Sequence, residues 1–90
     1  MQFEYDRSKS ASNMDKHGID FEEAQAIWDD ENRVQASARI SDEDRSLMVG
    51  RVGERLWTAV YTLRGSAIRL ISVRRARDEE VERYQDNQRG

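Results

Sequence analysis

Four arginines fall within AIRLISVRRAR, residues 67–77, with Arg69 inside an apolar run and Arg74, Arg75 and Arg77 at its end. A guanidinium is planar, permanently charged and shaped to grip phosphate through paired hydrogen bonds. The apolar run itself, with Ile68, Leu70, Ile71 and Val73, reads as a buried strand. Arginines carried on a strand are held at fixed positions, as an anion site requires. The other reading is a core strand leading into a solvated charge run, which is the usual fate of clustered charge. Strand alternation complicates the first reading, because Arg69 and Arg74 point to opposite faces unless a bulge intervenes.

Other chemistries are poorly provided for. The chain has one histidine and no cysteine, so neither a thiolate metal site nor a disulfide framework is expected, and no cofactor is implied. Asp42-Glu43-Asp44 lacks the glycine and distal glutamate of a calcium loop, and Gly50 and Gly53 stand apart from any Gly-Lys-Ser/Thr phosphate loop. Nothing marks a nucleophile elbow. What remains is phosphate handling by arginine with acid–base help from His17, a tyrosine or a carboxylate. Metal-free RNA cleavage needs no more: the ribose 2′-hydroxyl attacks, one group removes its proton, another protonates the leaving oxygen, and cations stabilise the crowded phosphate. His17 lies beside Gly18, where its other reading is a cation closing a helix end by capping carbonyls. Tyr84, next to Val81 on a terminal helix, reads first as core packing and only then as chemistry.

The charge distribution says more than the sum. Net charge is −3 over 90 residues. Residues 47–77 hold seven arginines against Glu54 alone, a net of +6 inside an otherwise acidic protein. Such a stripe suits a small phosphate-binding face and is poor for coating RNA non-specifically. No apolar run approaches the ~20 residues needed to span a bilayer. Met1–Lys9 is polar and charged and lacks a signal-peptide pattern, so a cytoplasmic location without membrane contact is expected.

The elements that must carry these residues follow from periodicity. Ninety residues make one domain, 1–90, with a modest core. Gln2–Tyr5 alternates as a short strand. Residues 7–17 read as a polar helix capped by Asp6 or Ser8 and closed by Gly18, with Lys9, Asn13 and His17 along one side. Asp20-Phe21-Glu22-Glu23 is a capping-box start, and a helix over 21–29 puts Phe21, Ala24, Ile27 and Trp28 on its apolar face. Period two then predicts strands at 33–40, 45–52, 55–63 and 66–74, the third central by its near-continuous apolar run, with Gly50 marking a bulge or tight contact. A helix over about 76–87 ends the chain. The class is α+β in the order β-α-α-β-β-β-β-α, an antiparallel meander with helices packed on one face.

Set in order, FEYD–x2–K–x3–N–x2–KHG–x2–FEEA from Phe3 to Ala24, then IRLISVRRA at 68–76 followed by Glu80 and Tyr84, resemble the BrnT family of bacterial type II toxins. The resemblance spans nearly the whole chain. It implies a RelE-like ribonuclease fold, metal-independent RNA cleavage that halts translation, and neutralisation by a BrnA-like ribbon-helix-helix antitoxin in a hetero-oligomer that meets operator DNA only through the antitoxin. Arg69, Ser72 and Arg74 fall on the family's Ile-Arg-Ile-Ile-Ser-Ala-Arg pattern, with Val73 in place of the alanine. Arg64 and Arg45 sit where the family often carries basic residues. The resemblance thus favours Arg64, Arg69 and Arg74 as phosphate contacts, His17 and Tyr84 as acid–base or stacking candidates, and Arg45, Ser72 and Arg75 as further RNA contacts. Two other functions stay open: an inactive relative acting as antitoxin-binding co-repressor, and a non-catalytic nucleic-acid-binding module.

Overall fold

The structure, a computed structural model, describes residues 2–37 and 45–89. The elements are β1 (Gln2–Glu4), α1 (Arg7–His17), α2 (Phe21–Ala24) continued by a 3-10 segment (Gln25–Asp29), β2 (Val34–Ser37), β3 (Ser46–Val52), β4 (Arg55–Arg64), β5 (Ala67–Arg75) and α3 (Asp78–Arg89). The expected turn at 41–44 and the last part of the strand expected at 33–40 lie outside the described residues.

Local chemistry accounts for the helix ends. Asp6 Oδ1 accepts hydrogen bonds from Ser8 N (2.8 Å) and Lys9 N (3.3 Å), satisfying amides that the first turn of α1 leaves without partners. Gly18 takes the left-handed conformation at φ 81° and its N–H closes the helix on Met14 O. Asp20 and Glu23 form the reciprocal capping box. The helix expected over 21–29 is α-helical only to Ala24 and then tightens to 3-10 geometry. That winding buries the consecutive Ile27 and Trp28 and brings Ile27 against Gly50. A Cβ on Gly50 would stand 2.9 Å from Ile27 Cγ2, so the glycine is there for close approach.

The sheet order is β1-β5-β4-β3-β2. Strands β2 to β5 form the expected antiparallel meander, but β1 joins beside β5 in parallel, so the sheet is mixed. The expectation erred there because a parallel pairing between the two ends of the chain leaves no local turn signal. Beyond the end of β1, Asn13 stands in for a strand: its carboxamide donates to Val73 O (2.9 Å) and Ile19 O (2.8 Å) and accepts from Val73 N (3.1 Å).

The helices do not share one face. Trp57, Ala59 and Tyr61 alternate into the main core with Phe21, Ile27, Trp28, Ile68, Leu70 and Val73, beneath α2 and the 3-10 segment. Phe3 and Tyr61 meet Trp28 edge-on, each at 5.2 Å between ring centroids. The intervening Thr58 points the other way and receives α3 through Glu80, next to the fully buried Val49. Charge-rich α3 carries its own short buried stripe, Glu80 and Tyr84, which is why it can serve the second face.

Candidate active site

Register decides which arginines meet. β4 pairs with β5 as Arg64–Ala67, Thr62–Arg69, Val60–Ser72 and Thr58–Arg74, with a bulge opposite Val60/Tyr61 where Ile71 is the extra residue on β5. Directly paired residues project to the same face, and the four β4 residues here are alternate ones. Arg64, Arg69, Ser72 and Arg74 therefore share one face, the face opposite the main core. Without the bulge, Arg69 and Arg74 would lie on opposite sides. Glu4 of β1, paired with Arg69, joins them, since its neighbour Phe3 packs into the core on the other side.

Helix α3 covers one end of this face. Glu80 Oε1 and Oε2 accept from the two terminal nitrogens of Arg74 at 2.8 and 2.9 Å, and Oε1 also accepts from Thr58 Oγ1 and Arg77 N, each at 2.8 Å. Burial alone would raise the Glu80 carboxyl; these bonds outweigh it and hold it down to about 2. The Glu80 hydrogen bonds in turn raise the Arg74 guanidinium above its ordinary value. Further along, the Tyr84 hydroxyl donates to Asp30 Oδ2 at 2.7 Å, and Arg51 N donates to the same oxygen at 2.8 Å. Burial and the neighbouring Asp30 carboxylate raise the Tyr84 phenol. Burial works against the Asp30 carboxylate, but the bonds from Tyr84, Asn32 N and Arg51 N lower it.

Among the described residues, no helix covers the other end of the face. Arg64 is exposed at the end of β4, and Val60, Thr62, Arg69 and Ser72 are half-buried. Thr62, opposite Arg69, and Ala67, opposite Arg64, are the smaller partners of the two arginines, which stand on neighbouring strands about 4.8 Å apart. Arg69 Nη1 lies 3.9 Å from Glu4 Oε1, an ion pair at the limit of contact.

Not every residue expected at the site arrives there. Tyr84 is only 1% exposed, with its hydroxyl bound to Asp30, a packing role. His17 is exposed at the end of α1, and no hydrogen bond links it to the arginine face among the described residues. Arg75 points to the opposite face, its guanidinium 5.6 Å from the Trp57 ring. Arg45 is exposed just ahead of β3. Two residues outside the expected set adjoin the face: Glu4, whose place depends on the non-local β1–β5 pairing, and Asp30, which accepts from Tyr84 and Arg51 N.

Residues 5–80 match the family model of the ribonuclease toxin BrnT of type II toxin–antitoxin systems. The chain belongs to this family. Membership makes it a ribonuclease toxin whose setting supplies an antitoxin partner and an RNA substrate. The matched BrnT region includes all of β5 and ends on Glu80, so it takes in both the open arginines and the Arg74 fastening. No curated protein matches the sequence significantly. Among the described residues, no helix is long and apolar enough to cross a membrane.

Proposed function

We propose that this BrnT-family chain cleaves RNA without a metal ion, on the open end of the arginine face. Arg64 and Arg69 grip the scissile phosphate and stabilise the charge that builds on it as the ribose 2′-hydroxyl attacks; Ser72 adds a hydroxyl donor beside Arg69. Arg74 serves the same face indirectly, by fastening α3 beside it. The observation that carries this reading is the β4–β5 register, which sets Arg64 and Arg69 on one side of the sheet, while the bulge at Ile71 turns Ser72 to that same side. A meander sheet with an open basic face also supports a RelE-like architecture. The proposed partner is a BrnA-like ribbon-helix-helix antitoxin that covers this face in a cytoplasmic hetero-oligomer and alone contacts operator DNA.

The test is induced expression of wild type, Arg69→Ala and Arg64→Ala in bacteria lacking the antitoxin, following growth and total RNA. Wild type should arrest growth and fragment RNA, and both variants should be attenuated at equal protein level. Intact RNA with folded wild-type protein that still binds its antitoxin would favour the co-repressor function instead.

A further inference from the structure

The arginines of the open face can hold a phosphate, but none of them can take a proton from a ribose hydroxyl at neutral pH, because guanidinium is already fully protonated. The proton acceptor must come from elsewhere. Each tyrosine is engaged in packing: Tyr5 lies edge-on to Phe21, Tyr61 is in the main core, and Tyr84 is bound to Asp30. Glu80 has every oxygen engaged under α3, and Asp6, Asp20 and Glu23 cap helices. Among the described residues, the carboxylate that the strand register sets on the open end of this face is Glu4.

Its setting fits the task. Glu4 pairs directly with Arg69 across the parallel β1–β5 ladder, so its position is fixed by strand geometry rather than by a loop. The side chain is 43% exposed and only 3.9 Å from Arg69 Nη1, close enough to share one substrate and too loosely bound to be consumed by the pair. The charged groups on its face are Arg69 beside it, Arg64 on β4, and the Arg74–Glu80 pair at the covered end, with Thr62 and Ser72 as neutral neighbours.

We propose that Glu4 is the general base of this ribonuclease, a reading that rests on the phosphate site assigned to Arg64 and Arg69. The Glu4 carboxylate takes the proton of the 2′-hydroxyl as the 2′-oxygen forms its bond to phosphorus. The bond from phosphorus to the 5′-oxygen breaks, and that oxygen takes a proton from water. The products are a 2′,3′-cyclic phosphate and a 5′-hydroxyl, and Glu4 then returns its proton to solvent. Arg69, touching both the base and the phosphate, keeps the two in register.

The test uses the purified full chain on a labelled single-stranded RNA of mixed sequence, with its all-2′-deoxy counterpart as an uncleavable probe. Glu4→Gln keeps the shape and removes the base. It should bind the deoxy probe like wild type yet cleave RNA about 10²–10⁴-fold more slowly. The wild-type rate should rise with pH as one group loses its proton, and that rise should be absent from Glu4→Gln and present in Glu4→Asp. Equal cleavage and equal pH profiles for wild type and Glu4→Gln would overturn the role of Glu4 and leave the arginine site standing. Parallel loss of deoxy-probe binding and cleavage in Glu4→Gln would also overturn it, since Glu4 would then act only in holding the site together. No cleavage by folded wild type at any pH would overturn the ribonuclease assignment of this face, and Glu4 with it.

Discussion

On one face of β5, Arg74 meets Glu80 and Arg69 meets Glu4. The first pair is bidentate at 2.8 and 2.9 Å, with side chains 21% and 7% exposed and two further donors on the same carboxylate. The second is a single contact at 3.9 Å with side chains 35% and 43% exposed. The residue types are identical and the strand is shared; what differs is the cover. Helix α3 lies over the Arg74 end, so charge there had to be satisfied internally, and the geometry was optimised for that. Nothing described lies over the Arg69 end, so charge there stays presented to solvent and to any anion that docks. An arginine's place in a motif does not say which of these it does.

The comparison breaks most visibly at Glu80. Glu80→Ala leaves the Arg74 guanidinium half-buried without its carboxylate, orphans the Thr58 hydroxyl and removes a cap from α3. Losing one partner of a covered pair of this kind costs about 3–5 kcal/mol, and urea unfolding should show it. The same treatment of the open pair should behave differently. Arg69→Ala removes only a partly exposed contact, worth under about 1 kcal/mol in stability. Its effect should fall on cleavage instead, on the order of 10²–10³-fold for a lost group that stabilises transition-state charge. If Arg69→Ala proves strongly destabilising, or Glu80→Ala leaves the unfolding midpoint unmoved, the two ends of the face do not differ in this way.

Acid sharpens the same distinction. The Glu80 carboxyl is held down to about 2 in the folded chain, against an ordinary value of 4.5. A depressed carboxyl contributes stability that is complete above about pH 4.5, declines as pH falls towards 2, and is gone below that. The contribution is on the order of 3 kcal/mol at most. The measurement is the difference between wild type and Glu80→Gln across that window, because Asp6 and Asp30, also lowered, contribute to both proteins alike. Wild type should lose its advantage over Glu80→Gln between pH 4.5 and 2, and the two should run parallel above it.

The local parts of this fold were legible because local chemistry sets them. Asp6, Gly18 and the Asp20–Glu23 box announce their helix ends, and the meander from β2 to β5 follows from alternation and short turns. What escaped was non-local. The parallel docking of β1 on β5, and with it the place of Glu4, depends on residues at opposite ends of the chain finding each other. The position of α3 on the second face likewise depends on Thr58 and Val49 being buried there, and alternation in β4 alone cannot tell a covered face from a wet one. The bulge at Ile71 is the subtler case. The segment Ile68–Val73 carries no glycine to mark it, yet the bulge alone decides that Arg69 and Arg74 share a side.

Tyr84 offers the finest test, because it is the residue whose motif position argued for chemistry and whose surroundings argue for structure. Its ring is buried beside Arg51, with the guanidinium 5.9 Å from the ring centre, and its hydroxyl ties α3 to Asp30 at the end of the 3-10 segment. Tyr84→Phe keeps the ring and deletes one hydrogen bond to a charged acceptor. Asp30 Oδ2 retains its bond from Arg51 N, so the carboxylate is not left bare. The cost should be about 1–3 kcal/mol, at the lower end because of that remaining donor, and RNA cleavage per folded molecule should be unchanged. Loss of cleavage at unchanged stability would mean that the phenol reaches substrate. The covered end of the face would then be part of the site rather than its support.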